Sequence, residues 1–342
     1  MLSDRISKSI SFVRYPLIVL VVFIHVPRIM NGGVIYTYIT SVISEVVASI
    51  AVPCFFIISG FLFFDSCLTR YSYLNKIKKR LQTLLLPYIV WNAIFIVFVI
   101  ILNIHDYTYT IGNVSACFWD CHYSFLDTNS HSPIDYPLWY VRDLIVCCLF
   151  SPIIYVSIKY LKFTFPLLMI ILWICDVHSP IVGLSIISLA FFSVGAFLRS
   201  SSFDINEKTV PWGRSAVLIF LILSFLSPLM PSSYISRIVT LIGSISVLFA
   251  ADFIIKSKPI LATKVTSLNR TVFFIFASHS IIVKYLYRIF NLDCVVVSEL
   301  PELFIYFFVG LLTIIICHIL YRVCIKILPK SLNIMIGVQT NK

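Results

Sequence analysis

Apolar residues run in long blocks along this chain, broken by short polar stretches. Ten blocks stand out, near residues 12–29, 43–64, 81–102, 139–158, 163–178, 181–198, 212–230, 235–255, 269–290 and 303–328. Most are long enough for a membrane-crossing helix, which needs about 20 mostly apolar residues. The pattern predicts an all-α, polytopic integral membrane bundle of about ten transmembrane helices, with no soluble domain. Blocks 163–178 and 181–198 are separated by only Ser179 and Pro180, so a tight hairpin or a re-entrant segment is expected there. The first block is interrupted by Arg14 and His25 and lacks a small-residue cleavage pattern, so it reads as a span and not as a cleavable leader.

Composition sharpens this picture. Of 342 residues 60% are hydrophobic and only 12% are charged, about half the charged share of an ordinary soluble domain. That excludes a soluble enzyme, a disordered chain and a receptor with a single anchor. A membrane barrel would alternate polar and apolar positions and give a weaker signal.

The net charge of +11 is a matter of topology. With an even number of spans, 20 of the 26 Lys and Arg residues fall on the side of the two termini. Arg28, Arg237, Lys284 and Arg288 lie toward the other. Cytoplasmic loops are the Lys- and Arg-rich ones, so both termini are expected in the cytoplasm, and the basic character needs no nucleic-acid partner. The longest outer loop, about 103–138, has His105, Asp106, Asp120, His122, Asp127, His131 and Asp135, several aromatic residues, and no Lys or Arg. It would either touch a sugar or cap the bundle. Its His and Cys spacing matches no standard metal site. Cys54, Cys147, Cys148, Cys175 and Cys324 sit in apolar blocks as packing residues, and Cys117, Cys121 and Cys294 lie outside.

Costly polar residues within the apolar blocks carry the functional signal. Arg14 and His25 are eleven residues apart, close to three helical turns and about 16 Å along the axis, so both project from one helix face. Structural roles are the alternative: Arg14 snorkelling to headgroups and His25 at the outer interface. Glu45 lies near the outer end of the second block, and Ser59-Gly60 would allow close helix approach. Trp139 opens the fourth block, followed by Arg142-Asp143. The two could pair with each other or with neighbours, but adjacent helical residues face each other poorly, so the expected partner of Arg142 is on another helix or is a substrate anion. His279 lies in the middle of the ninth block. An imidazole can act as a general base, and a guanidinium suits a phosphate or carboxylate. A phosphate-bearing cofactor at the basic cytoplasmic mouth, reaching toward His25, would give acyl transfer. The same residues would serve a proton-coupled transporter.

Arg14 to His25, an Arg–ten residues–His pattern, resembles the signature of the membrane acyltransferase 3 family, integral membrane O-acyltransferases of bacterial surface glycans. Pro53 to Phe64, the basic run Lys76 to Arg80 followed by Pro87-Tyr88, Pro137 to Arg142 with Ser151-Pro152, and Ser278-His279 resemble further motifs in the same order. Where many members have Asp and Gly flanking the Arg, this chain has Ser11 and Tyr15. The resemblance implies ten core helices in a bacterial inner membrane and acetyl-CoA as donor, with no metal. It implies an acetylated sugar hydroxyl as product, on an O-antigen or other lipid-linked glycan, or on a capsule or exopolysaccharide repeat. It further implies that His25 is catalytic and Arg14 essential. Arg70, Lys76, Lys78, Lys79 and Arg80 would attract the donor phosphates. Arg142 or His279 would steady the oxyanion or the acceptor, with Trp139, Ser59 and Glu45 as further acceptor contacts. A multi-span transporter or flippase for a lipid-linked glycan is the rival reading.

Overall fold

The computed structural model describes residues 3–29, 32–64, 69–101, 118–119, 132–181, 183–206, 208–230, 232–289 and 299–338. Most of the outer loop, including Asp120 and all five of its His and Cys residues His105, Cys117, Cys121, His122 and His131, lies outside those residues, as does Cys294.

The described chain is helical, without a β-strand. Its long helices are α1 (Asp4–His25), α2 (Val34–Phe63) and α3 (Arg70–Phe98). Next come α4 (Trp139–Leu149), α5 (Ser151–Leu161), α6 (Thr164–Ile174) and α7 (Ile186–Ser200). The remainder are α8 (Val210–Leu229), α9 (Ser233–Ser257), α10 (Pro259–Tyr287) and α11 (Pro301–Ile327). A short helix, α12, closes the described chain at Pro329–Met335. Among the described residues seven of these are long and apolar enough to cross a membrane. An eighth span results if α4 and α5, bent by 64° at Phe150, are taken as one. The chain is thus a polytopic membrane protein. The expected count of ten is not reached by length alone, because α6 and α7 have only 11 and 15 residues. At 1.5 Å per residue they reach about 17 and 23 Å, short of a hydrocarbon core about 30 Å thick.

Two compact units share the chain. The first comprises Met1–Ile58 and Ser201–Ile319. In it α1 starts on an N-cap, with Ser3 Oγ accepting the Ile6 amide at 3.3 Å and donating to Asp204 at 2.5 Å. Such a cap satisfies one of the amides a helix start leaves open. α1 packs on α9, where Arg5 clasps Asp252 through two bonds of 2.5 and 2.6 Å and Lys256 adds a third at 3.3 Å. Bidentate geometry is the strong form of this pairing. At the other end of α1, the Phe23 ring sits against Gly310, where any Cβ would collide with it. Ser44 donates to the Phe23 carbonyl at 2.9 Å and shares a hydrogen bond of 2.6 Å with Tyr306. α2 is not uniform: Ser41–Val47 is wound as π-helix, an arrangement often found at functional sites.

The second unit comprises Ser59–Ser200 and Leu320–Lys342. The close approach expected at Ser59-Gly60 occurs here: a Cβ on Gly60 would run into the Phe192 backbone carbonyl. Phe63, Phe64 and Phe192 form a cluster with ring centroids 5.5–6.1 Å apart, within the favourable range for aromatic pairs. The indole N–H of Trp91 donates to the Met335 carbonyl at 2.9 Å, tying α12 to α3.

Candidate active site

His25 is the last residue of α1. From α10, His279 comes beside it, the two imidazole centroids 5.0 Å apart and tilted by 45°. His279 is wholly buried. Its Nδ1 lies 3.0 Å from the Ile275 carbonyl and 2.7 Å from that of Phe276, so the preceding helical turn fixes the ring. Arg14 stands three turns below His25 on the unbroken α1, half-buried. The next residue, Tyr15, shares a hydrogen bond of 2.9 Å with His318 Nε2 of α11, ring centroids 5.8 Å apart. His318 does not figure in the sequence reading. Its signal was available, since an imidazole within a 27-residue apolar helix is a costly residue. Glu45 is held by Arg28 at 2.5 Å, and Arg28 also donates to Ser41 at 3.1 Å.

Arg142 departs from expectation. Its guanidinium is paired with the adjacent Asp143, Nε and Nη2 donating to Oδ1 at 3.2 and 3.1 Å. Nη1 donates to the Trp119 carbonyl at 2.6 Å, and the guanidinium lies 5.8 Å from the Trp119 ring. The other Asp143 oxygen accepts the Ser185 amide at 2.9 Å. Both side chains are at most 5% exposed. A long arginine can curl back to its neighbour where helix surfaces alone would not bring the two together. The pair is satisfied by backbone on both sides, the condition a buried ion pair must meet. Trp139 is half-buried at the start of α4. Ser59 meets Tyr140, not Trp139, at 3.1 Å.

The basic helical turn opens on a capping box at Thr69 and Ser72. Lys76 donates to the Phe63 carbonyl at 2.5 Å and lies over its ring, as does Arg80. Arg70, Lys78 and Lys79 are exposed. A second basic place lies in the first unit, a cleft of about 710 Å³ between α1 and α10. Lys8 and Arg270 line it with the hydroxyls of Ser7, Ser11, Thr263 and Thr266. Among the described residues no group of three or more metal-ligating side chains comes together.

The model of the acyltransferase domain family matches residues 7–322, nearly the whole chain and every helix that carries these groups. This chain belongs to that acyltransferase family. Within the family it is similar to the succinoglycan biosynthesis protein ExoH of Rhizobium meliloti (strain 1021), 29% identical over 163 residues. That stretch is 44% of this chain and 42% of the relative's length, so the chain spans less than half of the curated relative it matches. No solved structure matches it.

Proposed function

We propose that this protein is an O-acyltransferase of the bacterial inner membrane. It moves an acetyl group from cytoplasmic acetyl-CoA to a hydroxyl of a cell-surface or lipid-linked glycan. The observation that carries this reading is the imidazole pair His25–His279, set in helices that the acyltransferase family model covers. Similarity to a protein named for succinoglycan biosynthesis supports a glycan acceptor.

His25 is the catalytic base in this reading. Its unprotonated ring nitrogen takes the proton of the acceptor hydroxyl as the oxygen attacks the thioester carbonyl. The C–S bond breaks, the thiolate of CoA leaves, and the proton passes from His25 to that thiolate. Arg14, below His25 on α1, steadies a negative part of the donor. Arg70, Lys78 and Lys79 are free to attract the donor phosphates, with Lys76 and Arg80 completing the basic turn and the Lys8–Arg270 cleft adding a second attraction. Trp139 and Ser59 are assigned to acceptor contacts, while Arg142, paired with Asp143 and the Trp119 carbonyl, and Glu45, held by Arg28, are given structural roles. Ten spans follow if α6 and α7 each count with the eight, and both termini then lie in the cytoplasm.

The test is the surface glycan of cells with and without the gene, compared by NMR. Loss of O-acetyl signals with unchanged chain length is the expected result. Glycan that keeps its acetyl groups but fails to reach the surface would overturn it in favour of a flippase.

A further inference from the structure

The ring of His279 can be assigned a proton. Its Nδ1 faces two backbone carbonyls, of Ile275 and Phe276, at 3.0 and 2.7 Å. Carbonyl oxygens only accept, so Nδ1 carries the hydrogen and donates it. An uncharged imidazole has one such hydrogen. The opposite nitrogen, Nε2, is therefore a bare lone pair. That atom is buried and, among the described residues, meets no hydrogen-bond donor. Buried polar atoms are nearly always satisfied, and an exception calls for a cause. Beside it stands His25, its centroid 5.0 Å away. Centroids at that separation leave room for a nitrogen of the His25 ring to reach hydrogen-bond distance of Nε2 when the two point at each other, with the His279 ring kept where its carbonyls hold it.

We propose that His279 is a positioning residue for His25: its Nε2 accepts the ring N–H of His25 and so fixes that ring's tautomer and orientation. The second nitrogen of His25 is then the one that carries the lone pair, and it faces the reacting hydroxyl. This rests on the reading of His25 as the catalytic base. It also removes a role from His279. Having no hydrogen on Nε2, the uncharged ring cannot donate to an oxyanion. When His25 takes up the hydroxyl proton, its original N–H stays bound to His279, and the new proton is the one handed to the thiolate. The logic matches that of metal-binding histidines, whose tautomer is set by the partner of the other nitrogen. Here a helix carbonyl, a histidine and a second histidine form the relay of fixed hydrogen positions.

Full-length protein with nitrogen-15 histidine, in lipid bilayers, provides the test. Solid-state NMR of the wild type is expected to show His25 as a single tautomer. In H279L it should split into both tautomers, and H279Q, whose amide oxygen accepts, should restore one. In acetyl transfer, H279L should lower kcat about 10- to 100-fold while KM for acetyl-CoA stays within about twofold, with partial recovery in H279Q. An unchanged single His25 tautomer in H279L overturns the proposal. Should H279L fail to fold, H25L gives the reciprocal reading: the Nε2 resonance of His279 must move, and its staying in place also overturns the proposal. Tautomer changes as expected in a wild type that acetylates no glycan would uphold the histidine pair and sink the functional reading instead. Transfer that depends on His25 alone, with no tautomer change in H279L, would do the reverse.

Discussion

At the scale of single residues, cost identifies function. An imidazole or guanidinium in an apolar helix is retained only if something holds it, and here several have a named neighbour. His25 meets His279, Tyr15 meets His318, and Arg142 meets Asp143. The variant H25A is expected to lower acetyl transfer by about 10²–10⁴-fold, the usual worth of a general base, with binding of acetyl-CoA retained. Full activity in purified H25A would sink the model. For Arg142 the expectation is structural. Removing Asp143 leaves a buried cation without its counter-charge, which costs about 3–5 kcal/mol. D143A should therefore melt far below the wild type in detergent. D143N, which can still accept the Ser185 amide, should lose less. Equal melting of D143A and wild type would show that the pair holds nothing.

Individual elements show which features of a helix are local. The capping of α1 by Ser3 and of the basic turn by Thr69 uses residues next to the helix start. Ser59-Gly60 announced a close approach, and the chain supplies it through the Phe192 carbonyl. Backbone cannot swing aside as a flexible side chain can. G60A is thus expected to destabilise by about 1–3 kcal/mol, the usual cost of overpacking, read as a lower melting temperature. No change would mean that the helices part without penalty. The kink between α4 and α5 has a sequence cause as well. Pro152 sits in the first turn of α5; it has no N–H to give the Cys148 carbonyl four residues back and its ring crowds that carbonyl, so one continuous helix cannot run through it. The lengths of α6 and α7 were not legible in the same way. Apolar blocks of 16 and 18 residues gave helices of 11 and 15. Hydropathy reports which residues avoid water and does not say where a helix stops.

For the whole molecule, the distribution of Lys and Arg sets orientation. Reporter fusions at both ends should report cytoplasm. A C-terminal fusion active only on the outer side would overturn the even span count and the topology with it. Family membership over residues 7–322 agrees with the Arg14–His25 motif, the piece of the candidate site most legible in advance. For Arg142 the sequence favours a partner off its own helix, which the Trp119 carbonyl supplies, but the pairing with Asp143 is the less expected one, since helical spacing treats side chains as rigid spokes and arginine is long enough to fold back. The sequence does not single out His318, which meets Tyr15 from a helix far along the chain, nor does it pair Glu45 with Arg28.

By itself the sequence determined what depends on near neighbours along the chain. It set the all-helical membrane class and the helical spacing that gives Arg14 and His25 a common face, because hydropathy and helical period are local properties. Tertiary structure alone decided which of the costly residues meet. Helical period assigns a side chain to a face and leaves open what lies opposite. His25 and His279 stand on helices far apart in the chain, and only packing of α1 against α10 made them a pair with one bare nitrogen between two rings.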